Sequence, residues 1–193
     1  MSDKPVSEIS WLALGPADAT PQVSAIFDRT TQRFGHIRNA QLVTAHRPEL
    51  ATAQDALSKA VQFAPDTGIT PFERELLAIV VSAENHCPAC LFAHSAILRE
   101  ITEDPVLVGR IEVNYRHAEL TPRQRALADY AVKVTRASWE LDPTDLDKLR
   151  AEGLSEIEII DAAAVIAYFN FSNRLNNALG IAPNAEAYLA NRS

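Results

Sequence analysis

The sequence predicts an all-α protein built as a multi-helical bundle. Apolar residues recur at intervals of three and four over most of the chain, which is the spacing of helices with one apolar face. Several of these segments open with a capping residue followed by proline, as at Thr20-Pro21, Thr70-Pro71 and Thr121-Pro122. Proline is favoured at the first helical position. No segment alternates convincingly with a period of two, so we expect helices rather than a sheet.

The first half of the chain is expected to hold an irregular arm and four helices. The arm covers about residues 1–18, where prolines and a glycine interrupt any periodicity. The helices are predicted at 21–34, 39–46, 48–63 and 70–83, with a loop at 64–68. The apolar residues of the third helix that share one face are Leu50, Ala53, Leu57, Ala60 and Val61.

The second half is expected to be helical with short connections. Pro88 restarts a helix after the break at 85–87, and Gly180 ends the last one. The predicted helices are 88–101, 105–115, 121–139, 143–151 and 155–179. With 193 residues, of which 47% are hydrophobic, the chain is long enough for one domain spanning 1–193.

The chain also resembles itself weakly. Ile69-Thr70-Pro71 is echoed by Leu120-Thr121-Pro122, and a second alignment places Asn85 opposite Asn170 and Cys87 opposite Ser172. Such matches are short, but they suggest a duplicated helical unit of which one copy kept a reactive cysteine.

Composition and charge exclude several function classes. The net charge is −7 and the basic residues are scattered, so nucleic acid is not an expected partner. No apolar run approaches the roughly 20 residues that span a bilayer, and the N-terminus lacks the apolar core of a signal peptide. We therefore expect a protein of the cytoplasm without a membrane partner.

The two cysteines, Cys87 and Cys90, form a Cys-x-x-Cys motif at the predicted start of a helix. Helix geometry brings such sulfurs within reach of a disulfide, and the helix dipole favours the thiolate, which is the reactive form. The spacing therefore indicates redox chemistry rather than a structural crosslink.

His94 follows Cys90 by one helical turn, so both side chains are expected on one face. A neutral imidazole accepts a thiol proton near pH 7 and leaves a nucleophile able to attack a peroxide oxygen. We therefore predict that His94 is the base for Cys90. Cys90 would become a sulfenic acid, with which Cys87 condenses to a disulfide.

A carboxylate beside His94 would fix its tautomer and stabilise its charge. Glu75 on the preceding helix is the predicted partner, and Glu73 and Glu84 compete with it on sequence alone.

Glu75, Cys87-Pro88-Ala89-Cys90 and His94 together resemble the signature of the alkylhydroperoxidase D and carboxymuconolactone decarboxylase superfamily. The segments 85–87 and 168–174 are most similar to its peroxidase-related branch. The best-known alkylhydroperoxidases place a histidine immediately before the second cysteine, where this chain has Ala89.

This resemblance implies an all-helical fold assembled as a homo-oligomer (dimer, trimer or hexamer). It implies Cys90 as the peroxidatic cysteine, Cys87 as the resolving cysteine, and Glu75 with His94 as a proton relay. The substrate would be a hydroperoxide, an external thiol or dithiol would be the reductant, and no cofactor is expected because no haem or flavin motif is present.

Three alternatives stay open. His86, Cys87, Cys90 and His94 could supply four nitrogen and sulfur ligands to zinc, although structural zinc sites usually draw on two separate segments. A redox sensor would keep the dithiol but turn over slowly. A non-redox lyase would use Glu75 and His94 as acid and base and would survive replacement of Cys90.

Overall fold

A computed structural model describes residues 5–64 and 68–192. It is all-helical in these residues, as predicted. The bounds of the helices are α1 Pro21–Phe34, α2 Asn39–Thr44, α3 Pro48–Gln62, α4 Pro71–Glu84, α5 Pro88–Thr102, α6 Pro105–Asn114, α7 Pro122–Ala137, α8 Pro143–Ala151, α9 Glu156–Ala178 and α10 Ala185–Leu189. Single 3₁₀ turns lie at Val6–Glu8, Tyr115–His117 and Ser138–Glu140.

The predicted helix starts follow the capping chemistry of the sequence. Thr70 and Thr121 each accept a hydrogen bond from the third residue of their helices, and that residue returns a side-chain bond to the cap. Proline follows both threonines at the first helical position, where its missing N–H costs nothing. The repeated Thr-Pro motif of the sequence therefore marks two equivalent helix starts.

Helix α4 is the centre of the main core. Every residue from 73 to 82 is buried, including Leu76, Leu77 and Ile79 with no exposed surface. A helix that is apolar on most sides needs neighbours on most sides, and α4 packs against α5, α7 and α9. The central position of α4 places Glu75 inside the molecule.

The arm and the segment after α9 pack together around α2. Ala182 donates a backbone hydrogen bond to Ile9 at 2.8 Å, and Asn184 Oδ1 accepts one from the Asn39 amide at 2.9 Å. Gly180 turns the chain with φ +60°, and a Cβ there would collide with the Trp11 ring. These contacts fix the start of α2, and with it Arg38, beside the cavity described below.

The structure differs from the sequence prediction at α3 and α10. The apolar face predicted for α3 is covered only in part, because Val61 packs against the main core whereas Leu57 is 46% exposed. Gln54 and Ser58 of the same helix line a cavity, and Gln62 is buried. Helix α10 was not predicted, since five residues give too little periodicity. The predicted loop at 64–68 falls partly on 65–67, outside the described residues.

Among the described helices, none has the length and apolar composition needed to cross a membrane.

Candidate active site around Cys90

The turn between α4 and α5 places the two cysteines. His86 adopts a left-handed conformation with φ 49°, which reverses the chain after α4. Cys87 then caps α5, and its amide bonds to the Ser82 carbonyl at 2.9 Å. Both thiols are free and buried, with 1% of Cys87 and 6% of Cys90 exposed. The motif therefore stands at a helix N-terminus, as its sequence predicts.

Polar side chains of α9 surround the Cys90 sulfur. The Asn176 amide Nδ2 donates to Sγ at 3.1 Å, and the Ser172 hydroxyl lies 3.7 Å from Sγ. These two residues are one helical turn apart and both are buried. Hydrogen-bond donors aimed at a sulfur favour its anionic form.

The pKa of the Cys90 thiol is lowered from its ordinary value of 9.0 to about 6. The main cause is a hydrogen bond from the Cys87 thiol, and the charge of His94 and a hydrogen bond from Ser172 act in the same direction against the cost of burial. The pKa of Cys87 is raised, because its thiol proton is held in the bond to Cys90 and because it is buried. The two pKa shifts have opposite directions, so Cys90 is the more acidic thiol of the pair.

His94 and Glu75 form a buried pair. The imidazole Nδ1 lies 2.7 Å from Glu75 Oε2, and only 8% and 4% of the two side chains are exposed. Gln62 Nε2 donates to the other carboxylate oxygen at 2.6 Å, and the edge of the imidazole meets the Phe169 ring, with 4.6 Å between centroids. The carboxylate thus fixes the imidazole so that Nε2 is left for chemistry.

The competing carboxylates lie elsewhere. Glu73 is paired with Arg123 at 2.7 Å, and Glu84 is paired with Arg136. Of the three glutamates that the sequence offered, Glu75 is the one beside His94.

Cys90 and His94 line one small cavity of about 100 Å³. No direct hydrogen bond joins the two side chains in the described part of the chain, so a proton passing between them needs a molecule in the cavity as a bridge. The other lining residues come from the α2 region (Arg38, Ala40, Gln41, Thr44), α3 (Gln54, Asp55, Ser58), α5 (Ala89, Ala93), α9 (Tyr168, Phe169, Ser172, Asn176) and the segment after it (Ala182, Asn184).

Cys87 lies on the side of the turn that faces away from the Cys90 cavity. It lines a separate surface groove with Glu84, His86 and Arg136, and it is absent from the wall of the Cys90 cavity. The four residues of the zinc alternative are divided in the same way, with His86 exposed beside Cys87. Within residues 5–64 and 68–192, no three histidine, cysteine or acidic side chains gather as metal ligands.

Sequence reasoning missed several residues of the cavity. Ser172 and Asn176 were not predicted as site residues; with Asn173 they are the polar residues among those that α9 buries, and their spacing of one, three and four residues is the signal that could have placed them on one face. Gln62 and Arg38 carry no such signal, because each is one polar residue among many in its segment.

Comparisons with known proteins agree with this architecture. The carboxymuconolactone decarboxylase family matches residues 48–106, which contain Glu75, both cysteines and His94. An uncharacterized peroxidase-related protein from Ralstonia eutropha JMP134, described as an alkylhydroperoxidase AhpD core, is 36% identical, with a TM-score of 0.87 over 91% of this chain and 92% of that one.

An uncharacterized peroxidase-related protein from Silicibacter sp. TM1040 is 34% identical, with a TM-score of 0.90 over 96% and 97% of the two chains. The debrominase Bmp8 is 25% identical, with a TM-score of 0.74 over 86% and 88%. No curated protein is significantly similar. The chain belongs to the alkylhydroperoxidase D and carboxymuconolactone decarboxylase superfamily, as the spacing of its glutamate, cysteines and histidine predicts.

Proposed function

We propose that the protein is a cysteine-based peroxidase that reduces hydroperoxides at Cys90. The observation that carries this proposal is a thiol with its pKa lowered to about 6, facing a cavity that it shares with the His94–Glu75 pair. A thiolate at neutral pH with a proton carrier in reach is what the reduction of a peroxide requires.

The first half-reaction forms an S–O bond and breaks the O–O bond. The Cys90 thiol proton passes to His94, and the thiolate attacks one peroxide oxygen. The leaving alkoxide takes the proton back from the imidazolium and departs as an alcohol, or as water when the substrate is hydrogen peroxide. Glu75 stabilises the imidazolium meanwhile, and Cys90 is left as a sulfenic acid.

The second half-reaction uses Cys87. Its thiol attacks the Cys90 sulfenic sulfur, water leaves, and a Cys87–Cys90 disulfide forms. An external thiol or dithiol then reduces the disulfide by thiol–disulfide exchange and becomes oxidised in turn. The separate groove that Cys87 lines supports this division, because a reductant would reach it without entering the peroxide cavity.

We further propose that the chain forms a homo-oligomer. Large apolar side chains remain exposed on the single chain, among them Trp139 at 78% and Val113 at 87%. Leu57 on α3 and Phe63 directly after it are also exposed, at 46% and 52%. Light scattering after size exclusion tests this, and a monomer at micromolar concentration would contradict it.

The test of the peroxidase proposal is a stopped-flow reaction of the reduced protein with hydrogen peroxide and cumene hydroperoxide. Mass spectrometry identifies the oxidised cysteine in wild type, Cys87→Ser and Cys90→Ser. We expect Cys90 to react first, a persistent sulfenic acid in Cys87→Ser, and no reaction in Cys90→Ser. Steady-state turnover with a dithiol, dihydrolipoamide, separates an enzyme from a slow sensor.

If neither thiol reacts faster with peroxide than free cysteine does, the proposal fails. Survival of an activity in Cys90→Ser would instead favour the lyase alternative, which uses Glu75 and His94 alone.

A further inference from the structure

Arg38 is a cation in the wall of the Cys90 cavity that has no anionic partner among the described residues. It immediately precedes α2 and is partly buried. Its guanidinium lies over the Phe34 ring, 4.5 Å from the centroid. In the described residues, this guanidinium makes no hydrogen bond and no ion pair.

The carboxylates that line the spaces beside Arg38 have interactions of their own, and this includes Glu186 in the neighbouring groove. Asp55, which also lines the cavity, is paired with Arg29 at 2.8 Å and Lys59 at 2.6 Å. Glu75 is held by His94 and Gln62. In the groove on the other side of Arg38, Glu100 is paired with Arg33 at 2.7 Å.

A partly buried guanidinium without a counterion is costly, because it gives up water without gaining an anion. In agreement with this, burial lowers the pKa of Arg38, and the opposing attractions of Glu75, Tyr168 and Cys90 do not restore it. Its planar array of donors matches a carboxylate in two parallel hydrogen bonds. A guanidinium in the wall of this cavity therefore has the chemistry to bind an anion that enters from solution.

Arg38 is not needed as a direct partner of the thiolate. The Cys90 sulfur already has Asn176 and Ser172 as hydrogen-bond partners. No hydrogen bond joins Arg38 to Cys90 within the described residues. The guanidinium is therefore free to bind a second group in the same cavity.

We propose that Arg38 anchors a carboxylate of the substrate, so that the preferred substrates are short hydroperoxides carrying an acidic group. The peroxide half of this statement rests on the function proposed above, and the anion half rests on Arg38 alone. The cavity is small, about 100 Å³, so a carboxylate held by Arg38 keeps the rest of a small molecule close to Cys90.

The experiment compares two alkylating agents that differ mainly in charge, iodoacetate and iodoacetamide. Alkylation rates at Cys90 are measured by mass spectrometry in wild type, Arg38→Gln and Arg38→Lys. The control is Arg47→Gln, which removes an exposed cation at the start of α3 that does not line the cavity. We expect Arg38→Gln to slow iodoacetate about tenfold relative to iodoacetamide, since hydrogen bonds to charged groups are worth about that factor or more.

Arg38→Lys should keep part of the preference, and Arg47→Gln should keep nearly all of it. If both reagents slow equally in Arg38→Gln, the residue acts on the thiolate or on the fold, and the anion site is refuted. The pH profile with iodoacetamide tells these apart, because a change in the pKa of Cys90 moves its midpoint. Failure of both reagents to label wild-type Cys90 also counts against the proposal, since the cavity would then be closed to such anions.

A second arm uses 4-hydroperoxy-4-methylpentanoic acid and its methyl ester as substrates. We expect wild type to favour the acid and Arg38→Gln to lose that preference through a rise in KM. If neither compound oxidises Cys90 but iodoacetate is still preferred, the peroxidase function fails and the anion site stands. If both oxidise Cys90 equally well, the anion site fails and the peroxidase function stands.

Discussion

Removing the Cys87 thiol should raise the pKa of Cys90 while leaving the cavity in place. The hydrogen bond from Cys87 is the largest influence that lowers this pKa from 9.0 to about 6. A hydrogen bond to a charged acceptor is worth about 1.5–3 kcal/mol, which corresponds to a pKa higher by about one to two. In Cys87→Ala we therefore expect a Cys90 pKa of about 7 to 8.

The expected change in the alkylation rate follows from the fraction of Cys90 that is ionised at each pKa. At about pH 6.5 a pKa of about 6 leaves about three quarters of Cys90 ionised, against about a quarter at pKa 7 and about 3% at pKa 8. Alkylation by iodoacetamide at that pH should slow about 3- to 25-fold in Cys87→Ala. The assay is the full pH profile of the alkylation rate.

Cys87→Ser is the matched control, because a hydroxyl keeps a donor at this position. Its midpoint should stay closer to that of wild type than the midpoint of Cys87→Ala does. The reasoning is refuted if the alanine variant titrates like wild type, since the lowered pKa would then come from His94 and the donors of α9. It is equally refuted if the serine and alanine variants shift alike.

Three further predictions concern the site and its support. Glu75→Gln should lower the rate of peroxide reaction at Cys90 about 100-fold with little change in thermal stability, measured by stopped flow and calorimetry; an unchanged rate would remove Glu75 from the relay. Because the Cys90 pKa is lowered to about 6, the folded protein releases a proton that the unfolded chain keeps up to about pH 9. The free energy of unfolding should therefore increase by about 2 kcal/mol between pH 6 and pH 8, and this contribution should be lost when the pH is lowered through 6. Urea titrations of reduced Cys90→Ser should lack this pH dependence. Arg123→Met leaves buried Glu73 without its partner and should cost about 3 kcal/mol in urea, much of it recovered by adding Glu73→Gln; full additivity of the two changes would contradict the pairing.

The weak internal repeat acquires a physical meaning in the folded chain. Asn85 and Asn170, which the sequence aligned, contact each other at 3.0 Å where α4 ends against α9. Ser172, the counterpart of Cys87 in that alignment, lies instead against the Cys90 sulfur. The two similar segments therefore contact each other, and the later one supplies a polar neighbour to the Cys90 sulfur.

Features that depend on residues close together in the chain could be predicted from the sequence. Thr70-Pro71 and Gly180 mark helix ends because caps, proline and left-handed glycine act within a few residues. Cys90 and His94 were assigned to one face because helical geometry alone brings residues four apart together. The same reasoning failed for α3, where spacing identified an apolar face but could not tell whether a neighbour covers it.

Only the tertiary structure chose among residues that are far apart in sequence. Glu75 rather than Glu73 or Glu84 meets His94 because the crossing of α4 and α5 sets which side of α4 faces the imidazole. Asn176 reaches the Cys90 sulfur across 86 residues of chain, and Arg38 reaches the cavity through the packing of the arm around α2. Periodicity specifies the faces of a helix, whereas the pairing of faces depends on how all the helices share one core. The sequence by itself therefore determined the cysteine motif and its neighbouring histidine, and the tertiary structure determined which other residues surround them.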